Sequence, residues 1–128
     1  MGHRASSSCE NAGKNTVFGY PELKRGLAAT AVTPSLVHRI GPKAAFEFLA
    51  LAENITAQRA YEVGMINRIV PDDAVIDTAL KMARALAAFD LVAVRTTKRV
   101  FQKSTELSLT HALDVAREAA LLSRTMRD

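Results

Sequence analysis

From residue 17 onward, apolar positions fall into short runs separated by Gly, Pro, Asn and Asp, and the period within each run predicts an element. Val17, Phe18 and Tyr20 make a β-prone start that ends at Pro21, because proline fixes its own φ and disfavours a helical conformation at Tyr20. The small residues of Gly26 to Ala31 suit a loop or helix start packed closely against another backbone. Thr33-Pro34 then reads as N-cap and first helical residue of a helix through Ser35 to Ile40, which Gly41-Pro42 stops. The segment Ala44 to Ala52 is apolar nearly all round and predicts a buried helix. Thr56 caps a short helix over Ala57 to Val63, Gly64 supplies the left-handed stop, and Met65 to Val70 reads as a short strand closed by Pro71.

Beyond that point the period is helical. Asp72 and Asp73 complement a helix N-terminus, and Ile76, Ala79, Leu80, Ala83, Leu86 and Ala87 share one face of a helix reaching Phe89. Asp90 caps a further helix over Leu91 to Lys103. The last helix begins at Ser104 or Ser108 and carries Leu109, Ala112, Leu113, Ala116 and Ala120 on one face. Residues 1 to 16 hold almost nothing apolar and read as a flexible lead-in with no core contribution. The chain is therefore expected to be mostly α-helical with one or two short strands.

Length changes this picture little: 128 residues, 48% of them apolar, suffice for one domain with a core and not for two. A net charge of +4 favours an anionic partner without requiring one. Aromatic residues at 5% and the absence of Trp argue against nucleic-acid binding by base stacking. Cys9, the single cysteine, has no internal disulfide partner, so a reducing compartment, the cytoplasm, is expected. No apolar run follows the N-terminal Arg4, and the most apolar window is short and interrupted by Glu47, so neither a signal peptide nor a membrane span is expected. Met1-Gly2-His3-Arg4-Ala5-Ser6 fits the loose myristoylation pattern, which we read as a chance match.

Among candidate chemical groups Glu22 stands first. Phe18, Tyr20, Leu23 and Leu27 surround it in sequence at the end of the expected strand, and burial there would raise a carboxyl pKa and suit it to proton transfer. The alternative, more frequent for Glu in general, is a solvent-facing side chain paired with Lys24 or Arg25. Gly13-Lys14 is no phosphate loop, since Ser8 stands where that pattern needs Gly and Asn15 where it needs Ser or Thr. His38 and His111 have no second ligand at metal-binding spacing, and His3 falls in the lead-in. Arg95, Lys98, Arg99 and Lys103 form a basic stripe on one helical face, read as solvated rather than phosphate-binding. The methionines are assigned to core filling.

Four blocks in order carry a resemblance: Phe18-Gly19-Tyr20-Pro21-Glu22 followed by Leu23-Lys24-Arg25-Gly26-Leu27; Leu36-x-x-Arg39-Ile40-Gly41; Ile55-Thr56-Ala57-x-x-Ala60; and Gly64-Met65-Ile66-Asn67-Arg68-Ile69-Val70-Pro71. Together they resemble the C-terminal half of the enoyl-CoA hydratase/isomerase (crotonase) family, over residues 17–128. The resemblance implies an α/β fold of the crotonase type, a ββα superhelix, whose C-terminal helices serve trimer contacts. It also implies an acyl-CoA thioester as substrate with no separate cofactor and no metal, and a homo-oligomer, trimer or dimer of trimers. Neither nucleic acid nor membrane is expected as a partner.

By the same resemblance, Glu22 matches the second of two glutamates that handle water and the α-carbon proton. Two backbone N–H groups would stabilise the enolate-like oxyanion, a contribution of about 100- to 1000-fold per donor. The first glutamate and the glycine-rich oxyanion segment belong to the family's N-terminal half and have no counterpart here. Cys9-Glu10 lacks the preceding glycines and lies too close to Glu22 to be an equivalent. Family members carry a regular strand just before F-G-x-P-E, and none is predicted here. The chain thus reads as a hydratase/isomerase holding half an active site. The alternative is a non-catalytic helical interaction module derived from the same family, with a basic nucleic-acid binder as a third reading.

Overall fold

The segment before Val17, unpromising by composition, is built into the core. The computed structural model describes residues 9–125, and in it Asn11–Gly13 forms a strand, β1, in which Ala12 is only 2% exposed. β1 pairs in parallel with β4, Arg68–Val70, in the register Asn11↔Arg68, Ala12↔Ile69 and Gly13↔Val70. This corrects the expectation that the segment adds nothing to the core. Residues 1–8, with the myristoylation pattern and His3, lie outside the described residues.

Side chains lock this ladder at both ends. The backbone N–H of Glu10 donates to Asn67 Oδ1 at 2.7 Å, and the Asn67 N–H donates to the Glu10 carbonyl at 2.7 Å. At the other end Lys14 N–H donates to the Val70 carbonyl (2.8 Å), while Asp72 accepts from Asn15 N–H (3.0 Å) and from Asn15 Nδ2 (2.7 Å). Asp72 was expected to complement a helix N-terminus. It does lie, with Asp73, in the first turn of the 3-10 helix Asp72–Ala74 that leads into the next helix, and its carboxylate also accepts from Asn15, which holds it below the usual carboxylate range.

A second pair of short strands, β2 (Val17–Phe18) and β3 (Ile55–Thr56), runs antiparallel with Phe18 opposite Ile55. Between them lie α1 (Val32–Ile40) and α2 (Pro42–Leu51), and α3 (Ala57–Glu62) follows β3. α1 starts earlier than Thr33-Pro34 suggested: its N-cap is Ala31, and the Thr33 hydroxyl donates to the Ala29 carbonyl at 2.7 Å instead of capping. Pro34 is tolerated as the third residue because the first-turn N–H groups have no helical acceptor. Gly41, at φ 87°, ends α1 and leads into α2 with Pro42 as its first residue. Thr56 caps α3 as expected, accepting from Arg59 N–H at 3.1 Å, and Gly64 takes φ 82° just beyond it.

The core of the first compact unit, which ends at Ala79, consists of two adjoining clusters. One gathers Ala12, Phe48, Ile55, Ala60 and Ile66; the other gathers Leu36, Ala45 and Leu49; Tyr20, Ile40 and Met65 pack against both. α2 is thus buried on one face only, with Phe46 73% exposed and Leu51 exposed, a correction to the all-round burial expected of it.

The helical periods downstream translate directly into α4 (Val75–Ala87), α5 (Leu91–Glu106) and α6 (Leu109–Thr125). The second compact unit begins at Leu80, within α4. Asp90 caps α5 by accepting from Ala93 N–H at 2.8 Å. Ser108, not Ser104, opens α6: its hydroxyl accepts from His111 N–H at 3.4 Å, whereas the Ser104 hydroxyl donates back to the Val100 carbonyl. α5 and α6 pack together, and Ala112 and Ala119, two turns apart, are the buried residues of α6. No helix of the described residues is long and apolar enough to cross a membrane.

Candidate functional site

Glu22 does not sit at a strand end. β2 stops at Phe18, and Pro21, at φ −82° and ψ 8°, opens a 3-10 turn over Glu22–Arg25. Gly26 closes the turn at φ 70°, a left-handed conformation that glycine adopts without the Cβ penalty. The Leu27 N–H returns to the Glu22 carbonyl at 2.9 Å, which ties the Glu22 backbone into the turn. No atom would meet a Cβ on Gly26 within 4 Å, so the close backbone packing expected of this stretch is absent there.

The Glu22 side chain is half-buried, and its Oε2 is sealed from solvent without a hydrogen-bond partner. The pairing with Lys24 or Arg25 considered above does not form; both cations are exposed. A shielded carboxylate oxygen costs free energy until something donates to it. The structure therefore leaves Glu22 with an acceptor in need of a donor.

Tyr20, two residues away, packs its ring against both core clusters. Burial pushes its phenol above the usual range, the charges of Glu10 and Glu22 push it further, and Arg39 on α1 pulls it back. At neutral pH the Tyr20 hydroxyl therefore stays protonated. Sequence reasoning named Glu22, with Tyr20 among its neighbours, and did not foresee that Glu10 and Arg39 bear on the Tyr20 phenol. No local pattern could have placed Glu10, whose N–H donates to Asn67 Oδ1, 57 positions away.

The other candidates stay apart from this group. Lys14 follows β1 and spends its N–H on Val70, so Gly13-Lys14 cradles nothing. His38 is exposed near the end of α1, and His111 Nδ1 lies 3.1 Å from the Ser108 hydroxyl at the start of α6. No group of three or more His, Cys, Asp or Glu side chains comes together at metal-binding spacing among the described residues. Arg95, Lys98, Arg99 and Lys103 are all exposed on α5, and Lys103 meets Glu106 of the same helix at 3.9 Å.

Two surface depressions, of about 680 and 230 Å³, lie over α2 and α3 and do not include Glu22. They share Arg59, which stands 3.6 Å from Glu47, 3.7 Å from Glu62 and 5.9 Å from the centre of the Phe48 ring. Exposed pairs of this kind contribute about 0 to 1 kcal/mol each and describe a solvated surface.

Comparison with known proteins covers nearly the whole chain. The family model described as enoyl-CoA hydratase/isomerase matches residues 9–127. The 2,3-dehydroadipyl-CoA hydratase of Escherichia coli (strain K12) is 30% identical over 118 residues, covering 91% of this chain and 46% of the relative. A protein of Dictyostelium discoideum named "Probable enoyl-CoA hydratase, mitochondrial" is 33% identical over 99 residues, 77% of this chain and 36% of its own length. Among solved structures, the enoyl-CoA hydratase of Mycobacterium smegmatis superimposes with a TM-score of 0.87 at 26% identity, over 92% of this chain and 46% of that one. The chain spans less than half the length of these proteins.

Proposed function

The chain belongs to the enoyl-CoA hydratase/isomerase family, with that family's mostly helical α/β fold, and from this premise we propose that it takes part in hydrating an α,β-unsaturated acyl-CoA thioester, with Glu22 as its acid/base. One observation carries the proposal: the Glu22 carboxylate, in the Phe18–Glu22 motif, is held by its backbone at a turn and presents a sealed oxygen with no donor. In the hydration direction Glu22 in its acid form gives a proton to the α-carbon as the enolate collapses; in the reverse direction the carboxylate removes it. Coenzyme A enters as part of the substrate, so the reading needs no resident cofactor or metal. The named activities of the relatives support an acyl-CoA substrate. A reducing compartment, the cytoplasm, suits the exposed Cys9.

The oxyanion donors that supply the family's largest rate term have no counterpart on this chain, so turnover depends on the part of the fold that relatives carry outside the matched region. Short-chain 2-enoyl-CoA hydration is accordingly expected at background level with this chain alone. It should rise when the remaining N-terminal portion of the Escherichia coli relative is co-expressed with it, and fall again in Glu22→Gln. Hydration that ignores Glu22→Gln overturns the assignment.

A second reading, a helical assembly module, is favoured by the apolar side chains left uncovered beyond Leu80. Leu109 is 76% exposed, and Phe101, Leu113, Leu121 and Leu122 are exposed with it. Patches of that kind mark interfaces. A homo-oligomer, trimeric by resemblance, is expected. Light scattering that shows a monomer across a tenfold concentration range removes this reading without touching the first.

A further inference from the structure

We propose that Gly26 is a positioning residue for Glu22, acting through the backbone of the turn that Glu22 opens and Gly26 closes. This deepens the reading of Glu22 as the acid/base and rests on it.

No hydrogen bond reaches Glu22 Oε2, so what aims the carboxylate is the main chain beneath it and the packing of its half-buried side chain. That main chain is a 3-10 turn with a defined stop. Gly26 N–H donates to the Leu23 carbonyl at 3.2 Å, and Leu27 N–H donates to the Glu22 carbonyl at 2.9 Å. These are the two bonds that close a helix when the residue just past it is left-handed. Gly26 is that residue, at φ 70° and ψ 20°. The two angles set the direction of the Leu27 N–H; with residue 26 in the right-handed region the chain continues helically and the bond to Glu22 is lost. The Glu22 backbone is thus tied by a bond that depends on the conformation of a residue four positions on.

The demand on Gly26 is conformational and not steric. A Cβ built there meets no atom within 4 Å, so an alanine has room, and its cost is that of a left-handed φ for an L residue. Gly64 ends α3 in the same way and supplies the control. At φ 82° it too has no atom within 4 Å of a built Cβ. Its N–H donates to the Tyr61 carbonyl at 3.2 Å, and Met65 N–H donates to the Ala60 carbonyl at 2.8 Å. The two glycines make the same demand, but only Gly26 ties Glu22.

The test reads Glu22 directly and needs no turnover. In Gly26→Ala the Leu27 amide should exchange with solvent about 5- to 30-fold faster, the factor that a left-handed alanine costs. The Glu22 ¹³Cδ resonance at neutral pH should move with it. Gly26→Asn, a residue that tolerates the left-handed region, should return both signals towards wild type. Gly64→Ala should lower the urea midpoint as Gly26→Ala does and leave both signals in place. An unchanged Leu27 amide in Gly26→Ala, or a Glu22 resonance that moves no more there than in Gly64→Ala, overturns the positioning role. With the N-terminal portion of the Escherichia coli relative supplied, Gly26→Ala should lower kcat for hydration at unchanged KM. In a Glu22→Gln background it should have no further effect, because coupled residues are not additive. A loss of kcat that persists without Glu22 makes Gly26 structural only. Hydration that ignores Glu22→Gln defeats the acid/base reading and leaves the exchange and resonance results standing, so the two failures are distinguishable.

Discussion

Replacing Gly13 by Ala tests whether the N-terminal strand is locked as tightly as its hydrogen bonds suggest. Gly13 is buried at the end of β1, and its φ is not in the left-handed region, unlike Gly26, Gly41 and Gly64. An alanine could therefore adopt the backbone without strain and, given room, would stabilise the fold by about 0.4–1 kcal/mol by restricting the unfolded chain. There is no room. A Cβ on Gly13 would overlap Asp72 Oδ1 and stand 3.2 Å from Asp72 Cα and 3.3 Å from its Cγ. The carboxylate can rotate away only by giving up Asn15, and the Cα can move only by shifting the turn after β4. Overpacking of this kind costs about 1–3 kcal/mol, enough to reverse the sign of the intrinsic glycine-to-alanine effect.

Urea unfolding followed by circular dichroism measures it, with a fall in midpoint of roughly half a molar or more expected for a domain of this size. A midpoint unchanged or raised would falsify the steric argument. The double variant with Asp72→Ala separates the causes. If the carboxylate is the obstacle, the two changes together cost less than the sum of the single ones, as coupled neighbours do. Equal additivity would place the obstacle in the backbone.

Two further outcomes follow from the core and from the phenol. Phe48→Ala, at a buried position that joins α2 to β1 and β3, should lose about 3–5 kcal/mol; Phe46→Ala, two residues away and 73% exposed, should change little, and similar losses at both would show that α2 is buried all round after all. Tyr20 has a phenol pKa raised on folding, so its contribution to stability is fully present below the unfolded value of about 10 and is lost as pH rises towards the folded value. Denaturation at pH 8 and above pH 10 should therefore show a decline that Tyr20→Phe reduces; an equal decline in both proteins removes Tyr20 as its source.

How much of this was legible in the sequence depends on how far apart the deciding residues are. The helices were readable because their evidence is local: Thr56 and Asp90 cap within three residues, and Gly41 and Gly64 stop where the period breaks. Even so, α1 began early, since Ala31 and Val32 could extend its first turn without the Thr33 cap. The all-round apolar period of α2 foretold more burial than occurs, because a helix packed on one side leaves Phe46 and Leu51 in solvent whatever their polarity.

The strands were hardest to read. β1 and β3 are two or three residues long, too short for a period, and β1 exists because Arg68–Val70 pairs with it across 57 positions. The same division runs through the site. The turn that carries Glu22 was legible because Pro21 and Gly26 shape it within a few residues. The position of Glu10 was not legible either, because its backbone is tied to Asn67, 57 positions away. A strand residue takes its neighbours from the partner strand, so what β1 adds to the core could be read only once the pairing was known. For the same reason Asn67→Ala, which removes the Oδ1 that accepts from Glu10 N–H, should lower the urea midpoint more than Lys24→Ala, a change at an exposed side chain; equal midpoints would refute this.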